Sequence, residues 1–239
     1  MALFTLADLH LSLSGEKPMD VFGAEWAGFE KRLKEYWEYL VDPEDTVVIP
    51  GDISWAMSLE ETKEDFAFIN ALPGQKILMK GNHDYWWTSL TKMNAFFDEC
   101  GFDTLQVLHN DALFSQGKIL CGSRGWMCEE TMNPKDEKIL RREAMRFRLS
   151  LEKGAMLAKQ QEEKNGVRPE LLCFSHYPIA MPAMLDNPIL DVLEEFGVKR
   201  VFYGHLHNWG SKPLTEEHRG ISFTLVSSDY RRFTPFRID

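Results

Sequence analysis

Five short clusters carry side chains able to bind a metal or move a proton. They are Asp8 with His10, Asp52, the run Gly81-Asn82-His83-Asp84, His176, and His205 with His207. Setting His83 and Asp84 aside, seven donors remain: Asp8, His10, Asp52, Asn82, His176, His205 and His207. All are oxygen or imidazole-nitrogen donors, without a thiolate. That mixture suits first-row divalent ions such as Mn, Fe or Zn rather than Ca or a sulfur-bound structural zinc. Seven ligands are too many for one ion. Two ions about 3.5–4 Å apart, sharing a bridging carboxylate, would use them, as in two-metal phosphoryl chemistry.

Short apolar runs precede the clusters and must position them. Leu3–Leu6 leads to Asp8 and His10, whose spacing of two in an extended backbone would point both side chains the same way. Thr46–Ile49 runs into Pro50-Gly51-Asp52, Lys76–Lys80 into Gly81, Glu170–Phe174 into Ser175-His176, and Arg200–Tyr203 into Gly204-His205-Leu206-His207. These read as buried strands, and the ends of parallel strands are where α/β proteins gather their chemistry. His205 and His207 are again two apart, which predicts a second convergent pair. Between the strands, Trp26, Phe29, Leu33, Trp37 and Leu40 mark one amphipathic helix and Leu59–Leu72 another. A further helix runs to Phe97, and Leu140, Ala144, Phe147 and Leu151 stripe a long one from Lys135 to about Lys164. Pieces at 105–108 and 118–121, a short helix over 189–196 and a last strand over 221–227 complete the reading.

In order, Asp8-x-His10, Gly51-Asp52, Gly81-Asn82-His83-Asp84, His176 and Gly204-His205-x-His207 resemble the calcineurin-like metallophosphoesterase superfamily over residues 8–207. The resemblance implies an α/β fold of four layers, α-β-β-α, with two packed mixed β-sheets flanked by helices and a dinuclear metal site at the strand ends. It implies that Asp8, His10 and His207 hold one ion, that Asn82, His176 and His205 hold the other, and that Asp52 bridges them. The expected reaction is hydrolysis of a phosphomonoester or phosphodiester, on a small or nucleotide-like substrate, by in-line attack of a metal-bridging hydroxide. Asn82 and Asp52 would serve catalysis through the metals. His83, free of ligand duty, would protonate the leaving group or hold a phosphoryl oxygen. Two divalent ions, two carboxylates and a hydroxide leave the centre at about +1, attractive to a phosphate. One departure stands out: the protein Ser/Thr phosphatase branch has an Asp three residues after the bridging Asp to orient the histidine, and here Trp55 stands in that place. Asp84 is a possible substitute partner, and the departure argues against that branch.

The rest of the composition narrows the alternatives. A chain of 239 residues suits one domain over 1–239. With Lys plus Arg 27 against Asp plus Glu 37, the formal charge of −10 disfavours nonspecific binding to nucleic acid or an anionic membrane. A metal-dependent nuclease on DNA or RNA is therefore the second reading and a non-catalytic binding scaffold the third. The oligomeric state is open. Cys100, Cys121, Cys128 and Cys173 form no CxxC pair and read as reduced thiols in a cytoplasmic protein. Ala2–Leu6 is too short for a membrane span and wrongly flanked for a leader. Beyond the donors, Arg124 could clamp a substrate phosphate or form a surface ion pair. Trp86, at the centre of Tyr85-Trp86-Trp87, could stack on a substrate base or sit buried in the first turn of a helix. On the long helix, Arg142 and Arg146 lie opposite the apolar stripe and read as solvated, whereas Arg141 and Arg148 flank it and could face a cleft. His109 and His218 fit no motif and read as surface residues.

Overall fold

The computed structural model describes residues 1–15, 17, 19–127, 134–182, 184–210 and 212–239. The first half of the chain alternates strand and helix: β1 (Leu3–Thr5), α1 (Phe29–Leu40), β2 (Thr46–Ile49), α2 (Lys63–Ala71), β3 (Gln75–Leu78), α3 (Leu90–Cys100) and β4 (Leu105–Val107). A hairpin follows, β5 (Ala112–Ser115) and β6 (Lys118–Ser123), and then α4 (Pro134–Asn165). The second half closes with β7 (Leu171–Ser175), α5 (Pro188–Glu195), β8 (Arg200–Tyr203), β9 (Glu217–His218), β10 (Ile221–Leu225) and β11 (Phe236–Ile238).

The strands form two mixed sheets, ordered β11-β1-β2-β3-β4 and β5-β6-β7-β8-β10-β9. In each, four strands run parallel; antiparallel β11 closes one edge of the first sheet, and antiparallel β5 and β9 close both edges of the second. Between the sheets lie Leu3, Val48, Ile77 and Met79 against Leu120, Leu172, Phe174 and Phe202. Helices α1 to α3 cover the outer face of the first sheet, with Phe29, Leu33, Trp37, Phe66, Met93 and Phe97 buried. Helices α4 and α5 cover the second through Leu140, Phe147, Leu151, Ile189 and Leu193. The four-layer α-β-β-α order expected from sequence is thus present.

Local chemistry explains the helix limits. Ser89 caps α3 by accepting the Lys92 N–H, and Gly101 ends it at φ +68°. Asn187 caps α5 ahead of Pro188. Strand β3 begins with a buried lysine: Lys76 Nζ donates to the Leu72 and Gly74 carbonyls at 2.5 and 2.7 Å, just past the end of α2. Burial holds that amine down at about 8.

Two features fix the end of the sandwich where the clusters meet. Just beyond β1, Ala7 bridges to Ser227, the Ala7 N–H donating to the Val226 carbonyl and the Ser228 N–H to the Ala7 carbonyl. The two sheets are therefore laced together immediately before Asp8. Across the second sheet, α4 is drawn onto β6 by Ser150, whose Oγ accepts the Gly122 N–H, and by buried Glu143, which accepts from Ser123 Oγ. Edge strands β5, β9 and β11 have no counterpart in the sequence reading, being short or only partly apolar. Among the described residues, no helix is long and apolar enough to cross a membrane. Cys100, Cys121 and Cys173 are unpaired, and burial pushes the last two thiols up; Cys128 lies outside the described residues.

Candidate metal centre

Every cluster leaves the C-terminal end of a parallel strand, so all open on the same end of the sandwich. The route by which the side chains turn inward differs from the extended geometry expected for Asp8 and His10. Strand β1 stops at Thr5, and Asp8 and His10 adopt φ of +61° and +47°. Asp52 and His205 are likewise left-handed, at +52° and +72°. For non-glycine residues this conformation is uncommon and costs roughly 1–3 kcal/mol each. Four of the candidate ligands are thus held in tight turns rather than on pleats. Room for the turns comes from missing side chains: a Cβ on Gly81 would overlap Asp52 Oδ1, and one on Gly204 would lie 2.5 Å from Asp8 Oδ2.

Two donor groups result. Asp8, His10 and His207 present atoms within 4.8 Å of one another, as do Asp52, His176 and His205. Asn82 joins the second group, its Oδ1 being 2.6 Å from His176 Nε2. Asp52 Oδ2 lies 3.5 Å from His176 Nε2 and 3.7 Å from His10 Nε2, between the groups. His205 and His207 do not converge on one point as their spacing suggested; they fall into different groups.

Partners behind the donors set their tautomers. His176 Nδ1 faces the Pro50 carbonyl at 3.1 Å, which takes its N–H and leaves the Nε2 lone pair inward. His207 Nδ1 meets Asp229 Oδ1 at 3.0 Å, turning its Nε2 toward His10 Nε2, 3.1 Å away. Asp229 is a residue that the sequence reading missed, because it follows the last motif by twenty-two positions and belongs to no cluster. Burial pushes the His10 imidazole well below its ordinary range and holds His176 and His205 down at about 3. These rings are neutral and offer lone pairs. For His207 burial acts downward too, but Asp229, Asp8 and Asp52 outweigh it and hold it at about 9. Burial, reinforced by Asp52, drives Asp8 up to about 7, and burial raises Asp52 as well. Asp8 Oδ1 is buried without a hydrogen-bond partner. Neutral imidazoles, destabilised carboxylates and an orphaned carboxylate oxygen fit two divalent cations, which would supply the missing charge.

Asp84 resolves the question left by Trp55. It is buried, and none of its hydrogen bonds goes to His83. Its Oδ2 accepts the N–H groups of Asp52 and Gly81 at 2.9 and 2.7 Å, and its Oδ1 those of Ile53 and Trp86 Nε1 at 2.8 and 3.0 Å. It ties the second and third motifs together and orients no imidazole. His83 instead packs against Trp55, ring centroids 4.4 Å apart, and Trp55 also stacks on His10 at 5.0 Å and 25°. His83 donates its backbone N–H to Asp52 Oδ1 at 2.7 Å, and its Nδ1 has no partner. An aromatic wall thus replaces the acid–histidine dyad. Met19, Phe22, Trp26 and Trp55 line a cavity of about 180 Å³ beside His10, His83 and His207.

The remaining candidates are distributed differently from expectation. Trp86 cannot stack on a substrate: it is 2 % exposed, its indole N–H is spent on Asp84 and its ring packs edge-on against Phe66. Arg124 lies beside the centre, its carbonyl accepting the N–H groups of His176 and Tyr177. The long-helix arginines follow their expected division in part. Arg141 pairs with Glu137 and lines a cleft with Asp186 and Arg219, Arg148 pairs with Glu195, and exposed Arg142 joins partly buried Arg146 and Arg124 around a second cavity. His109 is exposed at that cavity's rim, and His218 Nε2 bonds the Leu185 carbonyl.

Comparison with known proteins agrees with this geometry. The family model described as calcineurin-like phosphoesterase matches residues 1–209. No curated protein matches. Among solved structures, a protein of unknown function from Aquifex aeolicus is 18% identical with a TM-score of 0.55, covering 99% of this chain and 95% of that one. A phosphopantetheinyl hydrolase from Mycobacterium tuberculosis is 14% identical with a TM-score of 0.52, covering 99% and 95%. A Thermus thermophilus protein is 12% identical with a TM-score of 0.52, covering 100% and 99%. At these identities the likeness is one of fold.

Proposed function

The chain belongs to the calcineurin-like phosphoesterase family, a family of metal-dependent phosphoester hydrolases, and on that premise we propose that it hydrolyses a small phosphorylated or nucleotide-like ester by in-line displacement. One observation carries the reading: oxygen and imidazole donors from both sheets meet in two adjacent groups with Asp52 between them. Asp8, His10 and His207 would hold one ion and Asn82, His176 and His205 the other, with Asp52 bridging. When bound, such ions acidify water toward neutrality and neutralise phosphoryl oxygens. Their identity, among Mn, Fe and Zn, is left to measurement.

The protein's own groups do the rest. Pro50 and Asp229 hold His176 and His207 in the tautomers that present Nε2. Asp84 keeps the loops carrying Asp52 and Asn82 in fixed relation. His83, outside the ligand set, delivers a proton to the leaving oxygen. Its Nδ1 is unpartnered, and Trp55 packs the ring in place. The aromatic cavity beside it suits a compact apolar or aromatic leaving group.

A nuclease would need a basic groove following several phosphates. Basic side chains near the centre gather instead in a cavity of about 290 Å³, the scale of a small ligand. The test is hydrolysis of a chromogenic phosphate ester with chelator and with restored Mn²⁺. Chelation should abolish turnover and Mn²⁺ restore it. Asp52→Ala and His207→Ala should lose metal, while His83→Ala keeps metal and loses turnover, most for poor leaving groups. Activity indifferent to chelation and to both ligand substitutions would end this reading.

A further inference from the structure

Next to the metal centre, at the ends of β3, β4 and β6 and under the first half of α4, the cavity of about 290 Å³ gathers Lys80, Arg124, Arg142 and Arg146, with Trp87 and His109 at its wall. In a chain of formal charge −10 this is an unexpected concentration of cations. Among the described residues the one carboxylate in ion-pair contact with them is Glu143, which is fully buried, pairs with Arg146 at 2.7 Å and approaches Arg142 at 3.9 Å. Lys80 and Arg124 form no ion pair among the described residues. Arg124 Nε and Trp87 Nε1 are buried donors without acceptors. Burial, and then the charges of Arg124 and Arg146, depress the Lys80 amine against the opposing pull of the Asp84 carboxylate. The cavity is rich in donors and poor in acceptors, which is the signature of a site for an anion.

Its position links it to the reaction. Lys80 immediately precedes Gly81-Asn82. The Arg124 carbonyl holds the His176 backbone, and the Arg124 guanidinium lies over the Tyr177 ring, which packs 4.3 Å from the His205 ring. A molecule with one phosphoester at the metals would therefore bring a neighbouring anionic group here. We propose that the cavity is a subsite for a second phosphate or pyrophosphate group of the substrate, and that the preferred substrate class is a small bisphosphorylated or pyrophosphate-bearing ester. This deepens the phosphoesterase reading and rests on it for the position of the first phosphate.

Two measurements on the full-length, Mn²⁺-loaded chain test it. Kinetics compare kcat/KM for a nucleoside 5′-monophosphate, a nucleoside 3′,5′-bisphosphate and a short single-stranded oligonucleotide. Calorimetry reads the affinity for inorganic pyrophosphate. Both use Lys80→Gln, Arg142→Gln and Arg146→Lys, the last keeping a charge beside Glu143 so that the fold is preserved. Arg141→Gln, exposed on the same helix, is the control. The bisphosphate should be favoured over the monophosphate at least tenfold, mainly through KM. Lys80→Gln and Arg142→Gln should each reduce that preference and the pyrophosphate affinity about tenfold, as for loss of one charge-assisted hydrogen bond. Arg141→Gln should change neither. Equal use of the two nucleotides, or affinities untouched by the cavity variants, would overturn the proposal, and preference for the oligonucleotide would overturn the small-substrate assignment. If no ester is hydrolysed while the variants still weaken pyrophosphate binding, the phosphoesterase reading fails and the anion site stands.

Discussion

Replacing Asp84 by asparagine separates two roles that its place beside His83 would confuse. The side chains have the same shape, but asparagine brings an NH₂ where aspartate has a second acceptor. Put at the Oδ2 position, that NH₂ faces the N–H groups of Asp52 and Gly81, now 2.9 and 2.7 Å from oxygen. Flipped, it faces Ile53 N–H and Trp86 Nε1–H, at 2.8 and 3.0 Å. Either way at least two buried donors lose their acceptor, at roughly 1–3 kcal/mol each, and the flipped form also loses the longer bond from Ser54 N–H at 3.4 Å. Some of that is recovered, because burial and the nearby Asp52 already push the Asp84 carboxyl up to about 7, so its charge is costly to hold. A net loss of about 3 kcal/mol follows, which for a chain of this size lowers Tm by roughly 6–12 °C. Because the released donors belong to the loops carrying Asp52 and Asn82, metal content should fall with stability. The assay is thermal unfolding by circular dichroism beside metal analysis of the same sample. A variant with wild-type Tm and metal content but reduced kcat would refute the reasoning, since it would make Asp84 the partner of His83.

Three further outcomes follow from the same geometry. Asp229→Asn removes the carboxylate behind His207 and should weaken Mn²⁺ binding about 10–100-fold, read by competition with a chelating dye. Gly204→Ala places a Cβ 2.5 Å from Asp8 Oδ2 and 2.6 Å from the Ala7 Cβ. It should cost about 1–3 kcal/mol in urea unfolding and displace Asp8, with metal lost from that group first. The metal-free protein should lose stability as pH rises from about 6.5 to 8. His207, held at about 9 when folded, and Asp8 and Asp84, at about 7, keep protons that the unfolded chain has released. His176 and His205, lowered to about 3, act in the opposite sense only below that window, and Lys76, at about 8, only above it. Urea midpoints across the range check the slope, and a flat or rising curve contradicts it. Added Mn²⁺ should reverse it, because metal and protons compete for the same atoms.

The strand ends were legible because each coupled a short apolar run to a turn with a chemically distinctive residue. That was enough to gather Asp8, His10, Asp52, Asn82, His176, His205 and His207 at one end of the sandwich, though not to foresee the turns that aim them. A period of two describes pleats, and four of these residues sit at positive φ, where pleating does not apply. Asp229 was invisible for lack of a motif, since a carboxylate behind a ligand is recognised only by contact. For the arginines of α4 the rule that equates the face opposite the apolar stripe with solvent holds at exposed Arg142 and falls short at Arg146, which buried Glu143 draws to the wall of a cavity. Of the two readings open for Trp86 the buried one holds, and Trp55, noted only as a departure, supplies the ring against His83.

The lacing of the sheets also bears on when the centre can exist during folding. The chain builds β1 to β4, then the whole second sheet, and returns at β11 to pair Ile238 with Leu3, while Ser227 meets Ala7. Each donor group draws on both sheets, so neither half of the chain can assemble one alone. Contacts spanning nearly the full sequence carry the largest loop-closure cost and form late. Metal should therefore leave the rate of collapse untouched and act on the unfolding rate, locking the chain at the last contact it makes.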